Sequence, residues 1–160
     1  MEARQGSTDI RSDLVAMLPK LRRLALTLCR DTAKVDALVS KACKQAIEKA
    51  RSWKGDTRLE CRLFALVRSA AQPEMQKARA DEREPNHSGA QTGRVLNGRA
   101  LIETLAADHA ATFLLCAVEG LTYREAAAVL GTTEDAVGQT MLAVRRELRQ
   151  KMAESSERSA

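Results

Sequence analysis

Aromatic side chains are nearly absent: Trp53, Phe64, Phe113 and Tyr123 are the full set in 160 residues. A core must therefore come from Leu, Val, Ala and Met. With few β-branched runs, that composition favours helices packed on helices. No stretch approaches the ~18 continuous apolar residues of a membrane span, and the opening MEARQGSTDIRSD has no apolar signal-peptide core. A cytoplasmic chain with no membrane partner is expected. The four cysteines, Cys29, Cys43, Cys61 and Cys116, never form a CxxC pair. Cys29, Cys43 and Cys61 fall in or beside apolar helical stripes, which suits reduced, buried thiols. A zinc site would have to recruit His87, in a polar stretch, or His109, for which a solvated place beside Asp108 suffices; no metal is expected. No triad, metal cluster or phosphate-cradling glycine loop is visible, so neither enzyme chemistry nor a cofactor is indicated.

Charge is present but unevenly spread. Residues 1–80 hold 17 Lys+Arg against 9 Asp+Glu, whereas residues 100–153 hold 5 against 7. The first half is thus net +8 and the second net −2. Neutralising phosphates supplies most of the affinity of a DNA reader, so the basic half is the one suited to a polyanion.

Periodicity divides the chain into helical segments. Residues 1–8 read as disordered. Leu14, Val15 and Leu18 make a short stripe, and Pro19 reads as a new helix start that continues through Leu21, Leu24, Ala25 and Leu28. Asp31 or Thr32 caps a helix carrying Val35, Leu38, Val39, Ala42, Ala46 and Ile47, with Lys34, Lys41, Lys44 and Lys49 on its outer face. Trp53-Lys54-Gly55-Asp56 breaks the pattern. Leu59, Leu63, Phe64, Leu66, Val67 and Ala70 mark a third helix, after which Pro73 restarts the chain into a polar one. EPNHSGAQTG lies in a flexible linker. Apolar spacing resumes at Leu101, Ile102 and Leu105, and Asp108 caps a helix with Phe113, Leu114, Leu115 and Val118. The fold class is all-α: one small helical domain over 9–80, a linker over 81–99 and a second domain over 100–153.

Cys116 to Arg149 organises that second domain. Gly120 stops one helix, and Thr122 with Glu125 forms a capping box for the next. Ala126, Ala127, Val129 and Leu130 give a short helix that Gly131 ends. Thr133 and Glu134 open a longer one with Val137, Met141, Val144 and Leu148 on one face. A tight glycine turn between a short and a longer helix is a tri-helical helix-turn-helix rather than a plain helical hairpin.

GLTYREAAAVLG resembles the region 4 motif of extracytoplasmic-function sigma factors, bacterial promoter-recognition subunits, and is closest to the general-stress group. LPKLRRLALTLCRDTAKVDALV is similar to the opening of sigma region 2, and ARSWKGDTRLECRLFALVRSA to its later part. The resemblance implies two helical domains, a region 2-like one and a region 4-like helix-turn-helix. It also implies core RNA polymerase and promoter DNA as partners, and a protein partner, either co-activator or anti-sigma factor.

The resemblance places polymerase contacts on the second helix, at Asp36, Leu38, Val39 and Lys41. There the family carries acids and Gln, whereas this chain keeps only Asp36 acidic and Lys41 reverses a charge. It places DNA contacts at Arg62, Arg68, Gln139, Thr140, Arg145 and Arg146. Arg62 stands where the family has Trp, and either Arg62 or Arg68 offers a plane on which an unpaired base can stack. In the recognition helix the family reads Gly-Thr-Val-Lys-Ser-Arg, against Asp135-Ala136-Val137-Gly138-Gln139-Thr140 here. Gln139 alone can read an adenine edge, and Asp135 favours the helix start while repelling phosphate. Arg145, Arg146 and Arg149 reach backbone only, and a solvated helix end explains them equally well.

Two readings follow. In one, the chain is a divergent sigma factor working with polymerase and promoter DNA, helped by a partner. In the other, it is a sigma mimic that binds an anti-sigma factor without binding DNA. The weak recognition helix favours the mimic and the +8 half favours the sigma factor.

Overall fold

The computed structural model describes residues 5–55, 57–82, 102 and 104–158, and every regular element among them is helical. The first three helices are α1 (Gln5–Cys29), α2 (Thr32–Lys49) and α3 (Leu59–Glu82), with a 3-10 turn at Ala50–Ser52. After them come α4 (Ala107–Phe113), a π turn (Leu114–Val118), α5 (Tyr123–Leu130) and α6 (Glu134–Arg158). The linker expected over 81–99 lies almost wholly outside the described residues.

The N-terminal unit is a three-helix bundle. Ile10, Leu14, Met17, Leu21, Leu24 and Leu28 form one stripe along α1, facing Val35, Leu38, Val39, Ala42 and Ala46 of α2. Leu63, Phe64 and Val67 of α3 are fully buried between them. Truncating the lone buried aromatic, Phe64, to Ala is worth about 3–5 kcal/mol.

Both prolines expected to restart a helix lie inside one instead. Pro19 sits within α1 and Pro73 within α3. The carbonyl that each proline strands, four residues back, belongs to Val15 or Ser69, and all four of these residues are exposed. Water can take the bond there. Buried contacts on either side, Leu14 and Met17 with Leu21, and Ala70 and Ala71 with Met75, hold the axis through the break. The start expected to be disordered is helical from Gln5 onward.

Chain ends of the helices follow local chemistry. Asp31 caps α2, its Oδ1 accepting from the Ala33 amide at 3.0 Å. Arg30, at φ 56, takes the left-handed position that closes α1, where Gly is the usual choice. Gly120 (φ 72) and Gly131 (φ 65) end the π turn and α5. The Leu121 amide bonds back to Leu115 O at 2.9 Å, a Schellman-type closure. Thr122 and Glu125 form the expected capping box. Thr133 Oγ1 accepts from the Ala136 amide at 3.2 Å and opens α6. Asp108 does not cap α4; the cap is Ala106, without a side-chain bond, and Asp108 lies in the first turn.

The C-terminal unit is the helix-turn-helix. Leu105, Ala110 and Val144 form its own small core, with Ile102, Phe113 and Leu148 packed against them. Its other apolar face joins the first unit: Ala111, Leu114, Leu115, Leu121, Ala126 and Leu130 belong to the same cluster as Leu21, Phe64 and Val67. In this packing α4 lies on α1 and α5 lies on α3.

Candidate nucleic-acid and partner interfaces

The recognition helix of the helix-turn-helix is α6, and it presents acid first. Glu134 and Asp135 are exposed in its opening turn. Gln139, Arg145 and Arg146 are exposed and Thr140 is half-buried. A Cβ on Gly138 would meet the Tyr123 ring at 3.7 Å, an ordinary contact, so the position has room for a side chain it does not carry. Leu142 is 53% exposed on the outer face of the same helix.

Arg62 is engaged within the protein, and Arg68 lies at the turn of the helix-turn-helix. The Arg62 guanidinium lies 5.3 Å from the centroid of the Trp53 ring. It also donates to Lys54 O at 2.8 Å and Thr57 O at 3.3 Å, pinning the loop between the 3-10 turn and α3. One face of the guanidinium is thus taken by the Trp53 ring. Arg68 is half-buried, with its Nε out of water and without a hydrogen-bond partner. Its Nη1 stands 3.5 Å from the place a Cβ on Gly131 would take, at the turn of the helix-turn-helix.

On α2, Leu38 (8% exposed) and Val39 (5%) point into the core. Asp36 and Lys41 are exposed, and Asp36 is paired with Arg22. Of the four residues expected to contact polymerase, only Asp36 and Lys41 present exposed side chains. Beside it, Leu18, Pro19, Leu26 and Val35 line an open groove of about 410 Å³ between α1 and α2, edged by Arg22, Arg23 and Thr32.

The groups that sequence reasoning missed lie where the two units meet. Glu119, at the end of the π turn, is 3% exposed at its side chain and faces Arg23 at 3.0 Å and Lys20 at 3.7 Å. The Arg23 contact is ionic rather than an aligned hydrogen bond, since Glu119 Oε1 has no hydrogen-bond partner. Arg58 reaches Glu125 at 3.3 Å, Arg79 pairs with Asp108, and Arg30 donates to Leu105 O. Every one of these cations comes from the basic half and every acceptor from the acidic half. The signal was the charge asymmetry, which read as a surface for an outside partner.

Burial decides their weight. Arg58–Glu125 and Arg79–Asp108 are substantially exposed, and such pairs contribute roughly 0–1 kcal/mol. Glu119 is buried, and stripping a buried carboxylate of its partners costs about 3–5 kcal/mol. The protonation equilibria agree with the geometry. The Lys20 bond holds the Glu60 carboxyl below its ordinary value, and the Thr122 amide, aided by Arg58, does the same for Glu125. Burial pushes the Cys43, Cys61 and Cys116 thiols up, keeping them protonated. Among the described residues no three His, Cys, Asp or Glu side chains come together as a metal site, and no helix is long and apolar enough to cross a membrane.

A three-helix unit is thus followed by a helix-turn-helix, in that order in one all-helical chain. Residues 14–68 match the model of the sigma2 domain of PhyR, and residues 99–148 that of sigma-70 region 4. The chain is 26% identical over 133 residues to the ECF RNA polymerase sigma factor EcfG of Rhodopseudomonas palustris (strain TIE-1), covering 77% of this chain and 74% of that protein. Its fold is similar to that of the sigma factor RpoE solved with the anti-sigma factor NepR from Bartonella quintana. The TM-score is 0.71 at 24% identity, over 89% of this chain and 95% of that one. It is also similar to a structure of the PhyRSL–NepR complex from Sphingomonas sp. Fr1, at TM-score 0.60 and 20% identity, over 87% and 86% of the two chains. Both matched models and the EcfG relative are of sigma-factor type, and the chain is similar to a divergent extracytoplasmic-function sigma factor. It is a sigma-factor-like transcription regulator.

Proposed function

We propose that the protein is a partner-assisted sigma factor, associating with core RNA polymerase through the outer face of α2 and with promoter DNA through both units once they separate. The observation that carries this reading is the presence of both sigma-type units in order, packed on one shared apolar cluster and joined at its edge by charge-complementary pairs. Cytoplasmic localisation accords with it. Separation frees Arg68 and the turn at Gly131, while Gln139, Thr140, Arg145 and Arg146 remain available to duplex. The anti-sigma complexes of the similar chains support a protein partner for this one.

Capture of core RNA polymerase on the immobilised full chain tests the α2 face. Polymerase retained by the wild-type chain, weakened by Asp36→Lys and strengthened by Lys41→Glu, supports the reading. Equal retention by all three contradicts it.

The second reading is a mimic that binds an anti-sigma factor and no DNA. Glu134 and Asp135 at the head of α6, with Gly138 and Thr140 following, favour it. Tight anti-sigma binding together with no retention of polymerase would establish it.

A further inference from the structure

The cations at the junction of the two units form a set on one face of the N-terminal unit. Lys20 and Arg23 project from α1, Arg58 from the approach to α3, and Arg79 from the far end of α3. Against them the C-terminal unit sets three carboxylates, those of Asp108, Glu119 and Glu125. Carboxylates spaced along a face, each met by Arg or Lys, present the pattern that phosphates of a nucleic-acid backbone present to the same side chains. Lys41, Lys44 and Lys49, by contrast, line the outer side of α2.

We propose that this face of the N-terminal unit is a phosphate-backbone site, and that the acidic face of the C-terminal unit occupies it as an internal substitute for nucleic acid. The +8 and −2 halves are then two sides of one contact. Duplex binding and closure of the two units exclude one another, because both need Lys20, Arg23, Arg58 and Arg79. Glu119 is the principal competitor, since it is the one acid of the three held out of water. The inference rests on the DNA-binding part of the reading above, not on its polymerase-binding part.

The full chain is titrated with a short fluorescent DNA duplex, in parallel with X-ray scattering of the free protein. Asp108→Asn/Glu119→Gln removes two charges from the contact. Glu154→Gln/Glu157→Gln removes two from the distal end of α6 and controls for net charge. The contact variant is expected to bind duplex about tenfold more tightly than the control at equal salt, and to scatter with a larger radius of gyration. Adding Arg23→Gln to the contact variant should return the affinity to the control's level. Helical circular dichroism and a cooperative melt verify folding, and Asp108→Asn alone, at an exposed pair, gives a smaller change of the same sign if the double variant does not fold. Equal affinity of contact variant and control overturns the proposal, as does a gain that survives Arg23→Gln. Since polymerase capture does not enter this assay, a failure here leaves the α2 result standing, and a failure there leaves this one.

Discussion

The carboxylate of Glu119, buried at the end of the π turn, faces the guanidinium of Arg23 on α1 at 3.0 Å, across 96 residues of sequence. Lys20, one turn earlier on α1, stands 3.7 Å from the other oxygen of the same carboxylate and 2.9 Å from Glu60. One buried acid therefore ties the two units together through a cluster of four charged groups. Replacing both Lys20 and Arg23 by Ala should destabilise the chain by about 3–5 kcal/mol, because the carboxylate stays buried without a counter-ion. Urea unfolding reads this directly. A loss below about 1 kcal/mol, the size of an exposed pair, would mean that Glu119 simply turns out to solvent.

Proline inside a helix is a testable oddity. Pro19 interrupts α1 on its exposed side, and its removal restores one backbone bond. An interior proline costs about 3 kcal/mol relative to Ala, partly offset by the ~1 kcal/mol it saves through a stiffer unfolded chain. Pro19→Ala should raise stability by about 1–2 kcal/mol, measured as an upward shift of the melting temperature. A fall would show that the proline itself is needed for the α1–α2 packing.

Trp53 is the sole tryptophan, and Arg62 lies over it. Arg62→Ala should release the loop at Trp53–Gly55, seen as a red shift and broadening of tryptophan emission with little change in helicity. An unchanged spectrum would place Trp53's environment in the core rather than in the Arg62 stack. The same variant matters for function, since its effect on DNA binding reports loop order as well as any base contact.

Acid should loosen the fold in a defined direction. Glu60, Glu125 and Glu147 have carboxyl groups held below their ordinary value of 4.5, by Lys20, by the Thr122 amide with Arg58, and by Lys151. A carboxyl with a lowered folded value stabilises the protein above its unfolded value, and that contribution is lost as pH falls through the folded one. Urea midpoints should therefore hold steady above about pH 5 and decline below about pH 4.5, with Glu60→Gln flattening the decline. A midpoint unaffected down to pH 3 would contradict these pairings.

Much of this architecture was legible because local signals and tertiary packing agree. The Thr122–Glu125 box, the terminators Gly120 and Gly131, and the apolar stripe of α6 each read correctly from neighbours a few residues away. Pro19 and Pro73 misled because their stranded carbonyls face water, which spacing alone does not reveal. Asp108 resembled a cap by type, yet its carboxylate is turned to Arg79, 29 residues back. Arg62 stacks on Trp53 and Arg68 lies beside the Gly131 turn, neighbours that only the fold brings near. The charge imbalance was visible from the start. Its cause was not, because an ion pair across 96 residues has no sequence signature.

In the recognition helix, Gly138 and Thr140 replace the family's cations. Gly138→Lys/Thr140→Arg should tighten duplex binding and steepen its salt dependence, by a slope of about 0.9 for each phosphate newly neutralised. Gly138→Ala should stabilise α6 by about 0.5–1 kcal/mol, since a Cβ there meets only ordinary contact with Tyr123. A salt slope left unchanged by the basic pair would mean that α6 does not face the duplex.

The central claim, a working sigma factor rather than a decoy, is tested most directly by run-off transcription with reconstituted core polymerase, the full chain and any partner recovered with it. A working sigma factor gives a transcript of defined start that requires this chain. That transcript is diminished by Gln139→Ala and by Arg145→Ala/Arg146→Ala. No transcript under those conditions, with the chain instead releasing an authentic sigma factor from its anti-sigma partner, would contradict it.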